Sequence, residues 1–555
     1  MTPAARERTL MALFGVLPAL WVVQARGAAI GPFSVDLAGH LWNGWAFGQA
    51  GWFHTRMTGW PDGVDLLPAV GGWLDLFGVA ALRHLVPLEL AYDLVIGVYL
   101  VVAGLGAWVL ARALGATRPA AVVAGLMLQL DGFVLTHLHG GRPEQVGLGF
   151  LSLLLGLALM TWRGTGRAAP VLAGLACALL ALVSWELFLL GGLCLAFALP
   201  FLRWDSRPPG LGRRLLLAGG VALATAGPWV VFFLLHAARV RAFDEAEFSR
   251  QLAGAASAPL LGMLEPGRTH PPIGALTCLL LLPWTLRRRA LIVGLGLGLA
   301  AALLFAAGPH PGLRVPGDLG FSGPFGALHG LPVLGWFHWP DRLLATWSLA
   351  AAAAAALALD LAARRRRWLA VVLAPLLLAG AIGEALLGQR WPGPTWRLEH
   401  PHDLTRLAEL PEPGAVLDLP IQPDPARHLP YQIDQLTHGR PILLGHVLAH
   451  LQDRSFSERL ERDPVLSWFH ELMGDKAPSR ERFSPEDFSA LVEAGYAFVT
   501  LHKRGWPQAR WARSEALLRK SLGEPVIQQG PDWICWRLPR ADNKGGHPWP
   551  SKSSP

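Results

Sequence analysis

The sequence predicts a polytopic α-helical membrane protein with about 11 transmembrane helices and a small C-terminal α/β soluble domain. Of its 555 residues, 52% are hydrophobic and only 16% are charged, which is not the composition of a water-soluble surface. Apolar runs with almost no charge recur along the first 390 positions, and several can cross a hydrocarbon core about 30 Å thick. The basic residues form short clusters between these runs. They therefore indicate topology, and the net charge of +8 does not indicate a nucleic-acid partner.

The apolar segments are interpreted as membrane spans at residues 9–25, 90–111, 119–136, 146–162, 168–184, 187–202, 215–236, 273–286, 290–308, 342–362 and 368–388. With a cytoplasmic N-terminus, every arginine cluster falls on the cytoplasmic side, as the positive-inside rule requires. The clusters are Arg6 and Arg8, Arg112 and Arg118, Arg163 and Arg167, residues 203–214, residues 287–289 and residues 364–367. We therefore expect a multi-pass membrane protein whose C-terminal domain lies on the outer side of the membrane. The first span could instead be a cleaved signal peptide, but we favour an uncleaved span.

Composition also predicts the domain organisation. Residues 1–388 form the transmembrane domain with its outer-face loops, residues 389–540 form the extracytoplasmic α/β domain, and residues 541–555 form a disordered tail. Within the α/β domain, strands are predicted at 415–419, 496–501 and 533–538, and a helix at 484–494 with Ser484 as its N-cap. These local signals predict that the domain folds on its own.

The first candidate site follows the first span, where Asp36 and His40 are four residues apart. On a helix this spacing puts both side chains on one face. An acid at the outer mouth of a span could act as a general base toward an acceptor hydroxyl, while the histidine orients it or binds phosphate. The alternative is an N-cap aspartate with an interfacial histidine.

A second candidate site lies in the short loop 137–145, which contains His137, His139, Arg142 and Glu144. These side chains could bind a lipid-linked phosphate, because the planar guanidinium of arginine can donate two parallel hydrogen bonds to phosphate oxygens. A polar interfacial turn is the alternative. The two histidines at i and i+2 are weak evidence for a metal, because that spacing suits one ion only on an extended segment.

Two more candidates lie at other ends of spans. Glu186 stands between two apolar segments, where an ionisable group suggests function, although the tip of a hairpin in water would explain it too. Asp341 and Arg342 lead into the span 342–362, either as substrate contacts or as an N-cap and an interfacial anchor. The topology puts all these groups on the outer surface, so a shared pocket is plausible.

The arrangement resembles the GT-C superfamily of polytopic glycosyltransferases and the related bacterial YfhO-type membrane proteins. The segments that carry the resemblance are DLAGHLW at 36–42, WPDG at 60–63, the loop 137–145, WPDR at 339–342 and YQIDQLTHGRPI at 431–442. In that superfamily a catalytic acid lies just beyond the first span, which is the place of Asp36. The superfamily carries an acidic pair there, whereas this chain has a lone Asp36 followed by His40.

The resemblance implies a glycosyltransferase that moves a sugar from a polyprenyl-phosphate donor to an acceptor at the outer face of the membrane. Its expected partners are membrane lipid and the sugar donor. No cofactor is assigned, and a divalent metal is left open. A lipid or polysaccharide transporter is one alternative, although Asp131 and Glu384 are the only acids near the depth that such a mechanism needs. A non-catalytic assembly protein whose tail binds a partner is the other.

Overall fold

The computed structural model describes residues 3–47, 49, 54–66, 72–202, 209–239, 272–285, 306, 308, 325, 340–388, 393–399, 402–421, 428–445, 459–460, 462–473, 481–503, 507–528 and 533–539. In chain order, its helices are α1 (Pro3–Ala25), α2 (Val35–Ala46), α3 (Leu74–Leu82), α4 (Leu88–Leu114), α5 (Arg118–Gln129), α6 (Gly132–His139), α7 (Pro143–Val146), α8 (Leu148–Arg163), α9 (Ala169–Val183), α10 (Trp185–Leu202), α11 (Leu211–Arg239), α12 (Ile273–Thr285), α13 (Ala345–Arg365), α14 (Arg367–Leu387), α15 (His402–Glu409), α16 (Leu429–His438), α17 (Pro464–Met473), α18 (Ser489–Glu493) and α19 (Gln508–Leu522). Its strands are β1 (Ala29–Ile30), β2 (His54–Thr55), β3 (Val64–Asp65), β4 (Thr395–Trp396), β5 (Ala415–Leu419), β6 (Tyr496–His502) and β7 (Trp533–Arg537).

The chain divides into two compact units. The first comprises Met1–Ser34, Gly71–Leu235 and Asp244–Trp396, and the second comprises Val35–Val70, His236–Phe243 and Arg397–Pro555. They are named the membrane unit and the soluble unit after the sequence prediction. The division differs from the predicted domain ranges, because most of the first outer loop belongs with the C-terminal residues.

Six helical segments among the described residues are long and apolar enough to cross a membrane, and they correspond to six of the predicted spans. They are Leu88–Leu114, Arg118–His139, Pro143–Arg163, Leu211–Phe232, Arg342–Arg365 and Arg367–Leu387. Shorter apolar helices occur at Met11–Ala25, Ala169–Val183 and Trp185–Ala196. Most of the predicted span 290–308 lies outside the described residues, so the count of about 11 stays a prediction.

Small residues allow the helices of the membrane unit to pack closely. A Cβ on Gly106 of α4 would collide with the backbone of Gly149 on α8, and one on Gly149 would collide with Ala103. Such contacts are the usual basis of helix association in lipid, where the hydrophobic effect does not drive helices together. By contrast, α14 exposes large apolar side chains such as Val371 and Leu376, which is the expected character of a surface in contact with lipid.

The arginine-rich ends of the helices meet at one end of the membrane unit. Arg163 at the end of α8 donates to the carbonyl of Ala113, and Asp360 of α13 accepts from the backbone N–H of Thr117. Asp360 also binds Arg364 at 2.7 Å. Since α8, α13 and the segment Arg118–His139 each run from one end to the other, their opposite ends carry the loop 137–147 and Arg342.

The soluble unit contains a three-stranded mixed sheet in the order β5-β6-β7, with β5 parallel to β6 and β6 antiparallel to β7. Alternating residues supply two cores: Leu417, Val499 and Trp536 face one side, and Val416 and Phe498 face the other. Because both faces are covered, the strands read as nearly continuous apolar runs. The predicted helix 484–494 divides into a 3₁₀ turn at Pro485–Phe488 followed by α18.

Residues of the first outer loop complete this unit. Trp60 is part of the larger core, its indole N–H donates to the carbonyl of Ala494 at 2.7 Å, and its own carbonyl accepts from the Tyr496 hydroxyl at 2.8 Å. The backbone N–H groups of Gly59 and Trp60 donate to the carbonyls of Leu443 and Ile442. The soluble unit is therefore larger than the domain that the tail sequence predicts.

Candidate functional site

A buried ion cluster lies at the end of the membrane unit opposite the arginine-rich end. Arg342 contacts the carboxylate of Glu186 through Nη1, and the same nitrogen lies 3.9 Å from Oε1 of Glu144. The amide of Gln145 donates to Glu186 at 2.6 Å. The side chains of Arg342, Glu144 and Glu186 are only 10%, 11% and 17% exposed. The structure thus brings together three of the residues that the sequence singles out.

The position of Glu186 follows from a break between two apolar helices. Ser184 adopts an extended conformation between α9 and α10, and its hydroxyl accepts from the backbone N–H of Leu187 as an N-cap. This break places Glu186 in the first turn of α10, where the helix dipole favours a carboxylate. Two glycines allow neighbouring chain segments to approach, because a Cβ on either Gly72 or Gly147 would collide with Val183.

The loop between α6 and α8 is built from a tight turn. Gly141 has a φ of 70°, a conformation that glycine adopts without a Cβ penalty. The backbone N–H of Arg142 donates to the carbonyl of His137 at 2.9 Å, and Pro143 begins α7. This turn places His137, Arg142 and Glu144 around one end of the helices, with Arg142 half-buried.

His137 is the most deeply buried of the predicted histidines. It is 3% exposed, its ring packs against Phe133 at 4.3 Å, and it lies within the electrostatic reach of Arg342, Arg142 and Glu144. Neither ring nitrogen has a hydrogen-bond partner among the residues that the structure describes. An imidazole without such a partner beside two arginines is a candidate for contact with a ligand.

One acid and one amide complete the inventory of this cluster, and sequence reasoning missed both as functional residues. Asp75 in the first turn of α3 is buried, and a Cβ placed on Gly72 would lie 3.1 Å from Asp75 Oδ1 and 3.3 Å from the Glu144 Cβ. Gln145, also missed as a functional residue, is fully buried. An acid within the apolar stretch after Gly71 and Gly72 was the available signal for Asp75. Asp75 therefore adds a further carboxyl group close to Glu144.

Other predicted site residues lie elsewhere. His139 is adjacent to Gly393 in the segment that leads into β4. The side chain of Asp341 lies outside the described part of the chain. Asp36 and His40 belong to α2 in the soluble unit, and both are half-buried.

The helix that carries Asp36, α2, is packed within the soluble unit. Leu37, Ala38, Leu41 and Trp42 of α2 are fully buried, which leaves Asp36 and His40 on another face of the helix. The indole N–H of Trp42 donates to Oε1 of Gln435 on α16 at 2.6 Å. The position of the candidate base is therefore coupled to residues almost 400 positions later in the chain.

A second polar cluster stands where the parallel strands β5 and β6 end. His502 Nε2 lies 2.9 Å from Asp418 Oδ1, and its Nδ1 lies 3.4 Å from Asp434 Oδ2. Burial alone would lower the pKa of His502, but the hydrogen bond to Asp418 and the charge of Asp434 raise it above its ordinary value. Burial lowers the pKa of His438 to about 4, and its Nδ1 accepts from the backbone N–H of Arg440. Both histidines support the packing of α16.

The described residues contain no group of three or more His, Cys, Asp or Glu side chains arranged to hold a metal ion. The Arg342 cluster offers cations, carboxylates and an imidazole. Such groups bind phosphate, orient hydroxyl groups and transfer protons.

Comparisons with solved structures relate this architecture to membrane glycosyltransferases. The arabinofuranosyltransferase AftD from Mycobacteria matches with a TM-score of 0.58 at 16% identity, over 96% of this chain and 40% of that one. ArnT from Cupriavidus metallidurans, solved with bound undecaprenyl phosphate, matches with a TM-score of 0.53 at 16% identity, over 96% of this chain and 99% of that one. No protein-family model matches the sequence, and no curated protein matches it significantly.

These likenesses concern the fold: the chain shares the fold of these two glycosyltransferases, as the resemblance of its sequence to the GT-C superfamily predicts. The chain spans the full length of ArnT but less than half of AftD.

Proposed function

We propose that this protein is a glycosyltransferase that moves a sugar from a polyprenyl-phosphate donor to an acceptor at the outer face of a bacterial inner membrane. The observation that carries the proposal is the buried cluster of Arg342, Glu144, Glu186 and His137 in a chain with the GT-C fold. Its position opposite the arginine-rich helix ends supports an outer location, because arginine clusters favour the cytoplasmic side. On this basis the N-terminus is cytoplasmic and the C-terminal domain is periplasmic.

Asp36 is the proposed catalytic base. It takes the proton of an acceptor hydroxyl as that oxygen attacks the anomeric carbon of the donor sugar. The new C–O bond forms while the bond from the anomeric carbon to the phosphate oxygen breaks, and polyprenyl phosphate leaves with its electron pair. A carboxylate base and a phosphate leaving group suffice for this displacement, which inverts the anomeric configuration. His40, one helical turn further on, is proposed to orient Asp36 or the donor.

Arg142 and Arg342 are the proposed phosphate contacts, with His137 and His139 as further donors of hydrogen bonds. Glu144 and Glu186 hold the guanidinium of Arg342 before the donor arrives, and Asp341 is a further candidate contact at the start of the same span. An incoming phosphate has to share Arg342 with these carboxylates. We therefore assign Glu186 and Glu144 the role of setting the position and the net charge of the arginine.

One contact within the membrane unit involves a residue that is close to Asp36 in the sequence. The hydroxyl of Ser34, which belongs to the membrane unit, donates to the carbonyl of Gly140 at 3.2 Å. Gly140 lies in the loop that carries His137 and Arg142, and Asp36 follows Ser34 by two residues in the sequence.

The described contacts favour this function over a transporter. Asp131, an acid within a span, caps α6 through the backbone N–H of Phe133 and accepts from the Ser348 hydroxyl at 2.7 Å. Glu384 accepts from the backbone N–H of Ile273. Both acids thus have structural partners, whereas transport would use them along a pathway.

The test is transfer of a radiolabelled sugar in liposomes that contain the purified protein. Undecaprenyl-phosphate-linked sugars serve as donors and a membrane lipid extract as acceptor. A positioned base contributes about 10²- to 10⁴-fold in rate, so Asp36→Asn should lower turnover by that order while donor binding persists. Asp62→Asn is the matched control, since Asp62 belongs to the same unit and pairs with Arg459.

Binding of undecaprenyl phosphate is measured in parallel by native mass spectrometry. Arg142→Ala and Arg342→Ala should weaken binding, because both would contact the phosphate in the ground state and in the transition state. Unchanged transfer in Asp36→Asn would remove this residue from the mechanism. A wild-type protein that neither binds the lipid nor transfers sugar would favour the assembly role, which the lone Asp36 and the neutralised Arg342 also fit.

A further inference from the structure

Gln435 joins two stretches of the soluble unit that are far apart in sequence, residues 42–57 and residues 435–440. Its side chain is fully buried on α16. Oε1 accepts from the Trp42 indole at 2.6 Å, while Nε2 donates to the carbonyls of Met57 at 2.5 Å and Arg440 at 2.8 Å. The orientation of the amide is fixed by chemistry, because an indole can only donate and the two carbonyls can only accept.

The contacts around Gln435 continue into a backbone ladder. The carbonyl of Met57 also accepts from the N–H of Ile442 at 2.9 Å, and Gly59 and Trp60 bond to the next carbonyls of the same segment. Trp42 and residues 57–60 are thereby attached to one short stretch of the C-terminal residues, 435–443.

We propose that Gln435 is a positioning residue for the reaction: through Trp42, the C-terminal domain fixes the rotation and the register of α2, the helix that carries Asp36. The inference rests on the proposed function, since Gln435 would act through the proposed base, Asp36. It also gives the large C-terminal domain a task within the enzyme.

The physical reason lies in the difference between apolar and polar contacts. Burial of the apolar face of α2 stabilises the packing of this helix. The hydrophobic effect is not directional, however, so burial alone would allow α2 to slide or rotate. A hydrogen bond from Trp42 to Gln435 prefers a nearly linear geometry and a narrow range of distances. A slip of α2 by one residue would move Asp36 by about 1.5 Å along the helix axis and by about 100° around it.

A misplacement of that size matters to catalysis. Displacing a reacting group by about 1 Å can lower the rate about 10²-fold. Loss of the Gln435 contact should therefore reduce kcat by about 10- to 100-fold. Donor affinity should not change, because the proposed phosphate contacts belong to the membrane unit.

The experiment uses the full-length protein and four variants: Trp42→Phe, Gln435→Leu, their double variant, and Gln432→Leu. Gln432 is a fully buried glutamine one turn earlier on the same helix and serves as the matched control. For each variant, kcat, the affinity for undecaprenyl phosphate and the rate of labelling of the buried thiol of Cys535 are measured. The labelling rate reports the stability of the soluble unit independently of activity.

The double variant separates positioning from stability. Replacing both partners of a buried hydrogen bond by apolar groups is less destabilising than replacing one, so Trp42→Phe with Gln435→Leu should recover part of the stability lost in Gln435→Leu. If Gln435 positions α2, kcat stays low in the double variant, while Gln432→Leu changes stability and leaves kcat per folded molecule near the wild-type value. Recovery of kcat together with stability would overturn the proposal.

A second readout keeps the outcome distinct from that of the proposed function. In protein labelled with ¹⁵N-tryptophan, the Trp42 indole N–H should exchange slowly with solvent, and it is assigned by its loss in Trp42→Phe. We expect this exchange to be faster in Gln435→Leu. An unchanged exchange rate would overturn the proposal that Gln435 holds Trp42 in place, whatever the activity of the variant. An inactive wild type that binds no donor would overturn the proposed function, and with it any catalytic task for Gln435.

Discussion

Replacing Trp60 by alanine should destabilise the C-terminal part of the protein, although Trp60 lies more than 330 residues before that part begins. Trp60 is 6% exposed in the core that contains Leu417, Val499 and Trp536. Substitution of a buried tryptophan by alanine typically costs about 3–5 kcal/mol. The carbonyl of Ala494 also loses its indole donor. A loss of about 4 kcal/mol is a large fraction of a typical domain stability of about 5–15 kcal/mol.

Cys535 provides the assay. It is fully buried on β7, whereas the remaining cysteines, Cys177, Cys194 and Cys278, lie in the membrane unit and can be replaced by serine or alanine. When labelling is limited by the population of the open state, its rate rises tenfold for each 1.4 kcal/mol of lost stability. The Trp60→Ala variant should therefore label about 10³-fold faster than the protein with Trp60 intact.

Trp511→Ala is the matched control for this measurement. Trp511 belongs to the same unit but is only partly buried, and Lys503 lies over its ring at 4.3 Å. Its loss should cost about 1–2 kcal/mol and accelerate labelling about 10-fold. If Trp60→Ala labels no faster than Trp511→Ala, the first outer loop does not belong to the core of the soluble unit, and the reasoning is wrong.

Three further predictions follow from the contacts. Glu186→Gln should keep an oxygen atom that accepts from Arg342 and Gln145 but remove one negative charge. Undecaprenyl phosphate should therefore bind about 3- to 10-fold more tightly. Weaker binding in a titration would contradict the role assigned to Glu186. The pKa of His438 is about 4 in the folded state and about 6.5 when unfolded, so stability of the soluble unit should fall by about 3 kcal/mol as the pH drops from 6.5 to 4 and then stay level. Chemical unfolding of the wild type and of His438→Asn, whose amide can still accept from Arg440, would show whether this part of the acid sensitivity disappears. Arg440→Lys should cost about 2–3 kcal/mol by the Cys535 assay, because one ammonium cannot reach the carbonyls of Leu407, Leu410 and Glu412 that the planar guanidinium binds together.

Features that depend on local sequence were predictable. The strands at 415–419 and 496–502 are apolar and rich in β-branched or aromatic residues, and the spans have the length and composition that lipid requires. Arg342, Glu144 and Glu186 could be grouped because the arginine clusters predict the same side of the membrane for all three. Their pairing could not be predicted, since it depends on the break at Ser184 and on the close approach allowed by Gly72 and Gly147.

Membership of residues 35–66 in the soluble unit could not be predicted for a different reason. A tryptophan followed by proline, aspartate and glycine at 60–63 looks like an ordinary surface turn, and nothing in its neighbours indicates a partner near residue 494. Contacts between such distant positions depend on the tertiary fold, which periodicity does not report. The same holds for the bond between Trp42 and Gln435.

The composition of the soluble unit explains why a glycosyltransferase of this fold would retain a C-terminal domain that carries none of the predicted catalytic groups. Asp36 is separated from the first span by a short connection, and an isolated 12-residue helix such as α2 is marginal in water. Burial of Leu37, Leu41 and Trp42 makes it stable, and the partner that accepts the Trp42 N–H is Gln435. Through Gln435 the domain contributes a contact that fixes the position of the proposed base, so its loss should lower turnover even when the membrane unit still binds the donor.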